Sequence, residues 1–123
     1  IGSLEKEMPA KDFLSKLKNI LNIPVIRVSG SLNKTIKNAA LLGGSGGGYI
    51  QNAILKGADI FITADLSYHT FFDAEDKIII ADAGHFETEI FGLTELERLL
   101  KKILNPEIMI IKTKNITNPI IYF

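Results

Sequence analysis

The stretch "DIFITADLSYHTFFDAEDKIIIADA", residues 59–83, places two short apolar runs on either side of a more polar segment. The runs at 59–64 and 77–83 lack a clean alternation of apolar and polar residues, which is typical of strands covered on both faces. The segment 66–76 between them has the composition of a short helix. This stretch therefore predicts two strands of a largely parallel sheet.

The rest of the chain continues this alternation of strands and helices. Apolar residues at helical spacing predict three more helices, the last interrupted near Gly92, where Thr94 and Glu97 have the spacing of a capping box. These helices are expected at 9–22, 49–59 and 85–104, and further strands at 25–28, 36–42 and 107–113. We predict an α/β layered sandwich, a largely parallel sheet flanked by helices, in a single domain spanning 1–123. The apolar tail 115–123 is expected to pack against the rest of the domain and not to fray into solvent.

Composition excludes several classes of protein. Fourteen basic and fourteen acidic residues leave no net charge, which gives nucleic-acid binding little electrostatic support and favours self-association. The chain has no cysteine, so disulfides and thiolate metal sites are excluded. It has no apolar stretch near the roughly 20 residues that span a bilayer and no signal peptide. We expect a cytoplasmic protein and, because the chain does not begin with Met, a piece of a longer one.

A glycine-rich stretch, "LLGGSGGGYI" at 41–50, lies between a predicted strand and a predicted helix. Backbone amides at a helix start favour anions, and glycines allow a ligand to approach closely, so a phosphate loop is one interpretation. The stretch lacks a Walker lysine, and its glycines do not complete the dinucleotide-binding pattern. The alternative is a tight turn from strand to helix at the mouth of a cleft.

Asp65 and His69 follow the strand predicted at 59–64. Open α/β sheets place ligand groups at the carboxyl ends of their strands, and a spacing of four residues allows both side chains to share a helical face. The alternative interpretation makes Asp65 the N-cap of the following helix and His69 a surface residue.

The stretch "IADAGHFETEI", 80–90, contains the strongest candidate for a site. On a helix, His85 and Glu89 lie about 40° apart around the axis, whereas Glu87 points well away. Imidazole and carboxylate together suit Zn, Fe, Mn, Co or Ni, and Asp82 is placed to support His85. The alternative is that the glutamates only complement the helix dipole. Two ligands also fall short of the three that a catalytic metal site needs.

Taken together, these motifs resemble the Nif3-like dinuclear metal-centre family, whose members are named type 2 GTP cyclohydrolase I homologues. The resemblance rests on "IGSLEKEMP" at the start, "GGSG" before a helix, "GADIFITAD" followed by "YH", "DAGHFETE", and "TNPIIYF" at the end. These segments match in order and spacing over essentially the whole chain. The family has two lobes around a pair of metal ions, and the chain resembles the C-terminal lobe.

The resemblance implies a role for each candidate residue. His85 and Glu89 fall on the family's C-terminal metal ligands, while Asp65 and His69 line the cavity. Gly44, Ser45 and Gly46 match the glycine turn near that cavity. The family's remaining ligands are a His-His pair and an Asp in the N-terminal lobe, and this chain has only His69 and His85.

The resemblance also implies a function, although it identifies no catalytic residue. It predicts two divalent metal ions per full-length subunit, a metal-activated water that attacks a nucleotide-like substrate, and assembly into homo-oligomeric rings. The isolated lobe is expected to be inactive. The alternative hypothesis is a non-catalytic metal-binding scaffold or regulatory interaction protein. A nucleotide-binding half-domain that uses 43–48 is favoured less than either.

Overall fold

A computed structural model describes all residues from 1 to 123. It contains five strands, which are β1 (Gly2–Pro9), β2 (Arg27–Ser29), β3 (Thr35–Ser45), β4 (Ile60–Ala64) and β5 (Ile79–Asp82). It contains three α-helices, which are α1 (Ala10–Leu21), α2 (Ile50–Leu55) and α3 (His85–Ile103). Short 3₁₀ helices cover Gly47–Tyr49 and His69–Ala74. No helix is both long enough and apolar enough to cross a membrane.

The strands form one sheet in the order β1-β3-β4-β5-β2. The three central strands are parallel, with Ala39 beside Ile60 and Ile60 beside Ile79. The edge strands β1 and β2 run antiparallel to their neighbours. The structure therefore confirms the α/β class and the largely parallel centre of the sheet.

Helices cover both faces of this sheet, which explains why its central strands do not alternate. Ile60 and Ile62 of β4 pack with Leu14 of α1 on one face, whereas Phe61 packs with Ile50 of α2 on the other. Every residue of β4 and β5 is buried. Burying apolar side chains on both faces contributes roughly 25 cal/mol per Å² of apolar area.

Most of the predicted helices and strands are present, but one strand was not predicted and two elements have different bounds. The segment 2–9, for which no element was predicted, forms the edge strand β1. The segment 66–76 forms a 3₁₀ helix only over His69–Ala74. Strand β3 runs on to Ser45, three residues beyond its predicted end, with a register shift against β4 after Leu41.

Two predictions for the C-terminal third are wrong. Helix α3 continues through Gly92 without interruption. The strand predicted at 107–113 is absent, and residues after Ile103 have no regular structure. An apolar run forms a strand only where it pairs with another strand, and no strand of the sheet pairs with residues 107–113. The tail docks only in part, since Ile121 is 87% exposed.

Candidate functional site

The candidate site lies where the carboxyl ends of the parallel strands meet. Asp65 directly follows β4, and His85 begins α3 three residues after the end of β5. Parallel strands bring their carboxyl ends to the same edge of the sheet, where open α/β folds bind ligands. The backbone of Asp65 has a φ of +57°, an uncommon conformation for a residue with a side chain.

His85 is held between two carboxylates. Its Nδ1 lies 2.6 Å from Asp65 Oδ2, and its Nε2 lies 3.2 Å from Glu89 Oε2, one helical turn further on. The hydrogen bond with Asp65, followed by the nearby negative charges of Asp65 and Glu89, raises the pKa of the His85 imidazole. All three side chains are about half exposed, so solvent reaches the cluster.

Gly44, near the end of β3, lies directly against the side chains of His85 and Glu89. Its N–H donates to Thr88 Oγ1 at 3.0 Å, and its carbonyl accepts from the buried Thr63 Oγ1 at 2.9 Å. A Cβ added at Gly44 would lie 2.4 Å from Glu89 Oε1 and 3.2 Å from His85 Nε2. Glycine is therefore required where β3 passes under the two predicted metal ligands, and its φ of +67° adds to that requirement.

Asp82 has a different partner from the one expected. The residue supporting His85 is Asp65, whereas the buried Asp82 accepts hydrogen bonds from Arg27 Nη2 and, at 2.9 Å, from the Leu66 amide. Asp82 thereby ties β2 and the end of β5 to the loop after β4. The buried carboxylate is compensated by the Arg27 charge, as such burial requires. This contact fixes the backbone next to Asp65.

A cavity of about 690 Å³ opens beside His85. Its polar lining includes Arg27, Asp65, His85 and Glu89. The remaining lining comes from Asp82 and Gly84, from the first half of α3, and from the C-terminal segment 117–122, including Tyr122. Burial, with the charges of Glu87 and Asp82 nearby, raises the pKa of the Tyr122 phenol.

The other residues proposed from the sequence lie outside the lining of this cavity. Gly44 and Gly46 are buried behind it, with Gly46 packed against Thr63. Ser45 is exposed at the end of β3. His69 is exposed at the start of its 3₁₀ helix, where it contacts the ring of Tyr68 edge-on. The structure thus brings Asp65, Gly44, His85 and Glu89 together and leaves His69 apart.

Sequence reasoning missed several residues that shape this site: Arg27, Thr63, Thr88, Asn118 and Tyr122. Thr63 carried a readable signal, because it is a polar residue within an otherwise apolar strand. The tail residues carried none, since their contacts depend on how the segment after α3 returns to the start of that helix.

A comparison with protein families identifies the family of the chain. The Duf34/NIF3 (NGG1p interacting factor 3) family model matches residues 1–119, and the chain belongs to this family. It is 41% identical over 105 residues to a protein of Halalkalibacterium halodurans called "GTP cyclohydrolase 1 type 2 homolog". That match covers 82% of this chain and 28% of the relative.

Two solved structures share the fold. The crystal structure of Staphylococcus aureus protein SA1388 has a TM-score of 0.85 at 32% identity, covering 98% of this chain and 40% of that one. The crystal structure of a Bacillus cereus protein related to NIF3 has a TM-score of 0.82 at 32% identity, covering 99% and 35%. The chain thus spans well under half the length of these relatives.

Proposed function

We propose that the chain supplies half of a dinuclear metal centre in a metal-dependent hydrolase, with His85 and Glu89 as its ligands. The observation that carries this proposal is the separation of 3.2 Å between His85 Nε2 and Glu89 Oε2. Two ligands that bind one ion through bonds of roughly 2.1 Å stand about 3.0–3.4 Å apart. The two atoms therefore fit a shared divalent cation such as Zn, Fe, Mn, Co or Ni.

Asp65 is the residue that prepares His85 for this role. When Nδ1–H donates to the Asp65 carboxylate, the lone pair of Nε2 is left for a metal. The carboxylates of Asp65 and Glu89 favour the imidazolium form of His85 in the metal-free protein. Binding of a metal at Nε2 would therefore release the Nε2 proton. Asp65 also prevents the ring from turning away from Glu89.

The remaining ligands must come from outside this set of residues. No group of three or more His, Cys, Asp or Glu side chains in the chain is arranged to hold a metal ion. A catalytic centre needs at least three protein ligands, and we propose that the others lie in an N-terminal lobe outside this chain, which spans well under half the length of its relatives. We propose two ions per complete subunit and little activity from this lobe alone.

Bound metal would supply a Lewis acid that lowers the pKa of a water molecule, making it a nucleophile near neutral pH. The chain's own contribution is to orient His85 and Glu89, and to present Arg27 and an apolar wall to the rest of the substrate. The name of these relatives, GTP cyclohydrolase 1 type 2 homolog, suggests a nucleotide-like substrate. The volume of the cavity suits a small molecule.

Metal analysis of the full-length protein tests the ligand assignment. We expect His85→Ala to lose metal from a centre that binds two ions in the wild type. His69→Ala is the matched control, because His69 is the only other histidine of residues 1–123 and lies outside the cavity, and this variant should retain both ions. A His85→Ala protein that still holds two ions would refute the assignment.

A scaffold without catalytic activity is the second candidate function. It is favoured by α3, a helix of 19 residues with no buried residue, which gives the chain a large surface for a partner. Turnover of GTP and other nucleotides by the metal-loaded full-length protein separates the two candidates. Hydrolysis above that of His85→Ala supports the enzyme, and its absence with both metals bound supports the scaffold.

A further inference from the structure

The C-terminal segment 117–122 forms one wall of the cavity beside His85. Thr117, Asn118, Pro119, Ile120 and Tyr122 all line the cavity. Phe86, Ile90 and Leu93 of α3 complete the apolar part of the lining. The segment therefore helps to define the space that a ligand of His85 and Glu89 would occupy.

Side chains alone hold this wall in place. No backbone hydrogen bond joins residues 109–123 to the rest of the chain. Asn118 Nδ2 donates to Glu87 Oε1 at 2.9 Å, and this contact is partly buried. A Cβ added at Gly84 would lie 3.0 Å from Tyr122 Oη, so the tyrosine rests directly on the start of α3. Within residues 117–122, the hydrogen bond from Asn118 to Glu87 is the one that joins the wall to α3, while Lys112 ties the preceding part of the tail to Thr94 and Glu97.

Glu87 is the anchor on the α3 side. It precedes Glu89 by two residues and lies on a different side of the helix, where Asn118 occupies one of its oxygens. Asn118 also accepts from the Ile120 amide at 3.1 Å, which shapes the turn that brings Pro119 and Ile120 to the cavity. One hydrogen bond between side chains therefore sets the position of several lining residues.

We propose that Glu87 is a positioning residue that fixes segment 117–122 as a wall covering one side of His85 and Glu89, whose side chains are about half exposed. The proposal rests on the proposed function in that these two side chains are the groups a ligand must reach. The wall, with Phe86, Ile90 and Leu93, offers apolar surface, while His85 lies at a polar end. The ligand class it admits is a small molecule with an apolar part that contacts the wall and a polar end that reaches His85.

The accessibility of His85 to a small reagent tests this wall without requiring metal. Diethyl pyrocarbonate modifies unprotonated imidazole, and mass spectrometry of the metal-free protein gives a separate rate for each histidine. We expect Asn118→Leu to raise the His85 rate about twofold, because half of the His85 side chain is already exposed and loss of this hydrogen bond uncovers only the side that the wall covers. His69 lies outside the cavity, so its rate should stay constant.

Further variants separate the contact from general loosening. Asn115→Leu removes an exposed asparagine from the same tail and should leave the His85 rate unchanged. Glu87→Gln keeps an oxygen acceptor for Asn118 and should behave like the wild type, whereas Glu87→Leu should match Asn118→Leu. Because both substitutions remove the same contact, the double variant should be no faster than either single one.

Two outcomes would overturn the proposal. Equal His85 rates in Asn118→Leu and Asn115→Leu would show that the wall does not control access. A parallel rise at His69 would show that the whole chain had loosened instead. Since the readout uses metal-free protein, it remains decisive even if His85 and Glu89 turn out to bind no metal.

Discussion

At His85 the two ring nitrogens face two different carboxylates, and this arrangement determines the behaviour of the site. Asp65 binds Nδ1 and Glu89 faces Nε2, so the free site favours a protonated ring. A metal ion bound at the proposed ligands would compete with that proton for Nε2. The affinity for metal should therefore weaken as pH falls below the raised pKa of His85.

The protonation of His85 in the metal-free protein gives the first prediction. Because the hydrogen bond to Asp65 is the main cause of its raised pKa, Asp65→Asn should lower that pKa toward the ordinary value of 6.5. The stabilising effect of protonation is complete below pH 6.5 and is lost as pH rises through the higher folded value. NMR titration of the ring protons measures both proteins.

Asp73→Asn is the matched control for this titration. Asp73 is an exposed carboxylate in the 3₁₀ helix His69–Ala74 and makes no contact with His85. Its removal should leave the His85 titration unchanged. A His85 pKa that fell equally in both variants would show that general charge, rather than the Asp65 contact, raises it.

Gly44 gives the second prediction at this scale. In Gly44→Ala the new Cβ meets the Glu89 carboxylate, which has to move, and the backbone is strained at a φ of +67°. We expect a loss of about 1–2 kcal/mol in the free energy of unfolding, measured with denaturant. Gly48→Ala meets no atom within 4 Å and should change stability by less than about 0.5 kcal/mol. Equal losses in the two variants would contradict the packing argument.

Helix α3 was predicted from its apolar spacing, but it lacks the interruption that was predicted near Gly92. Gly92 and Thr94 suggested a break, yet the helix runs from His85 to Ile103. Salt bridges from Arg98 to Glu95 and from Lys101 to Glu97 span the region after the glycine. Each exposed pair contributes only a few tenths of a kcal/mol, but continuing the helix also retains its backbone hydrogen bonds.

Substitution of Gly92 tests this continuity. A Cβ at Gly92 meets no atom within 4 Å, so Gly92→Ala should raise the free energy of unfolding by about 0.5–1 kcal/mol through helix propensity alone. Gly57→Ala also meets no atom, but its φ of +71° makes the same change destabilising. Denaturant unfolding of both variants should give opposite signs. A destabilised Gly92→Ala would mean that the helix is broken there.

The central strands of the sheet could be predicted from the sequence, whereas the edge strand β1 and the contact between Asp65 and His85 could not. Strands β4 and β5 follow from their apolar runs, and the His85–Glu89 pair follows from helical spacing alone. Strand β1 was missed because "GSLEKEMP" owes its extended form to pairing with β3 and not to its own pattern. The pairing of Asp65 with His85, 20 residues apart, likewise depends on how two strand ends meet.

On the scale of the whole molecule, apolar side chains are exposed along α3 and in the residues that follow it. Only the side of the helix near β3 and β4 packs on the sheet. The exposed apolar side chains there include Phe91, Leu93, Leu96, Leu99 and Ile103. Leu96, Leu99 and Ile103 have the spacing of one helical face, so we expect this apolar face to contact a partner, and the absence of net charge provides no repulsion against it.

Self-association through α3 is the prediction that follows. Leu96 is 51% exposed near the middle of the helix, so a lysine there should disrupt an interface without disturbing the core. We expect the wild-type chain to show a mass in sedimentation equilibrium that rises with concentration, and Leu96→Lys to remain closer to the monomer of 13.6 kDa. Leu55→Lys is the matched control, because Leu55 is 84% exposed on α2, away from this surface. Equal association of the two variants would show that α3 is not the interface, and a monomeric wild type at every concentration would show that its apolar surface is not used between copies of this chain.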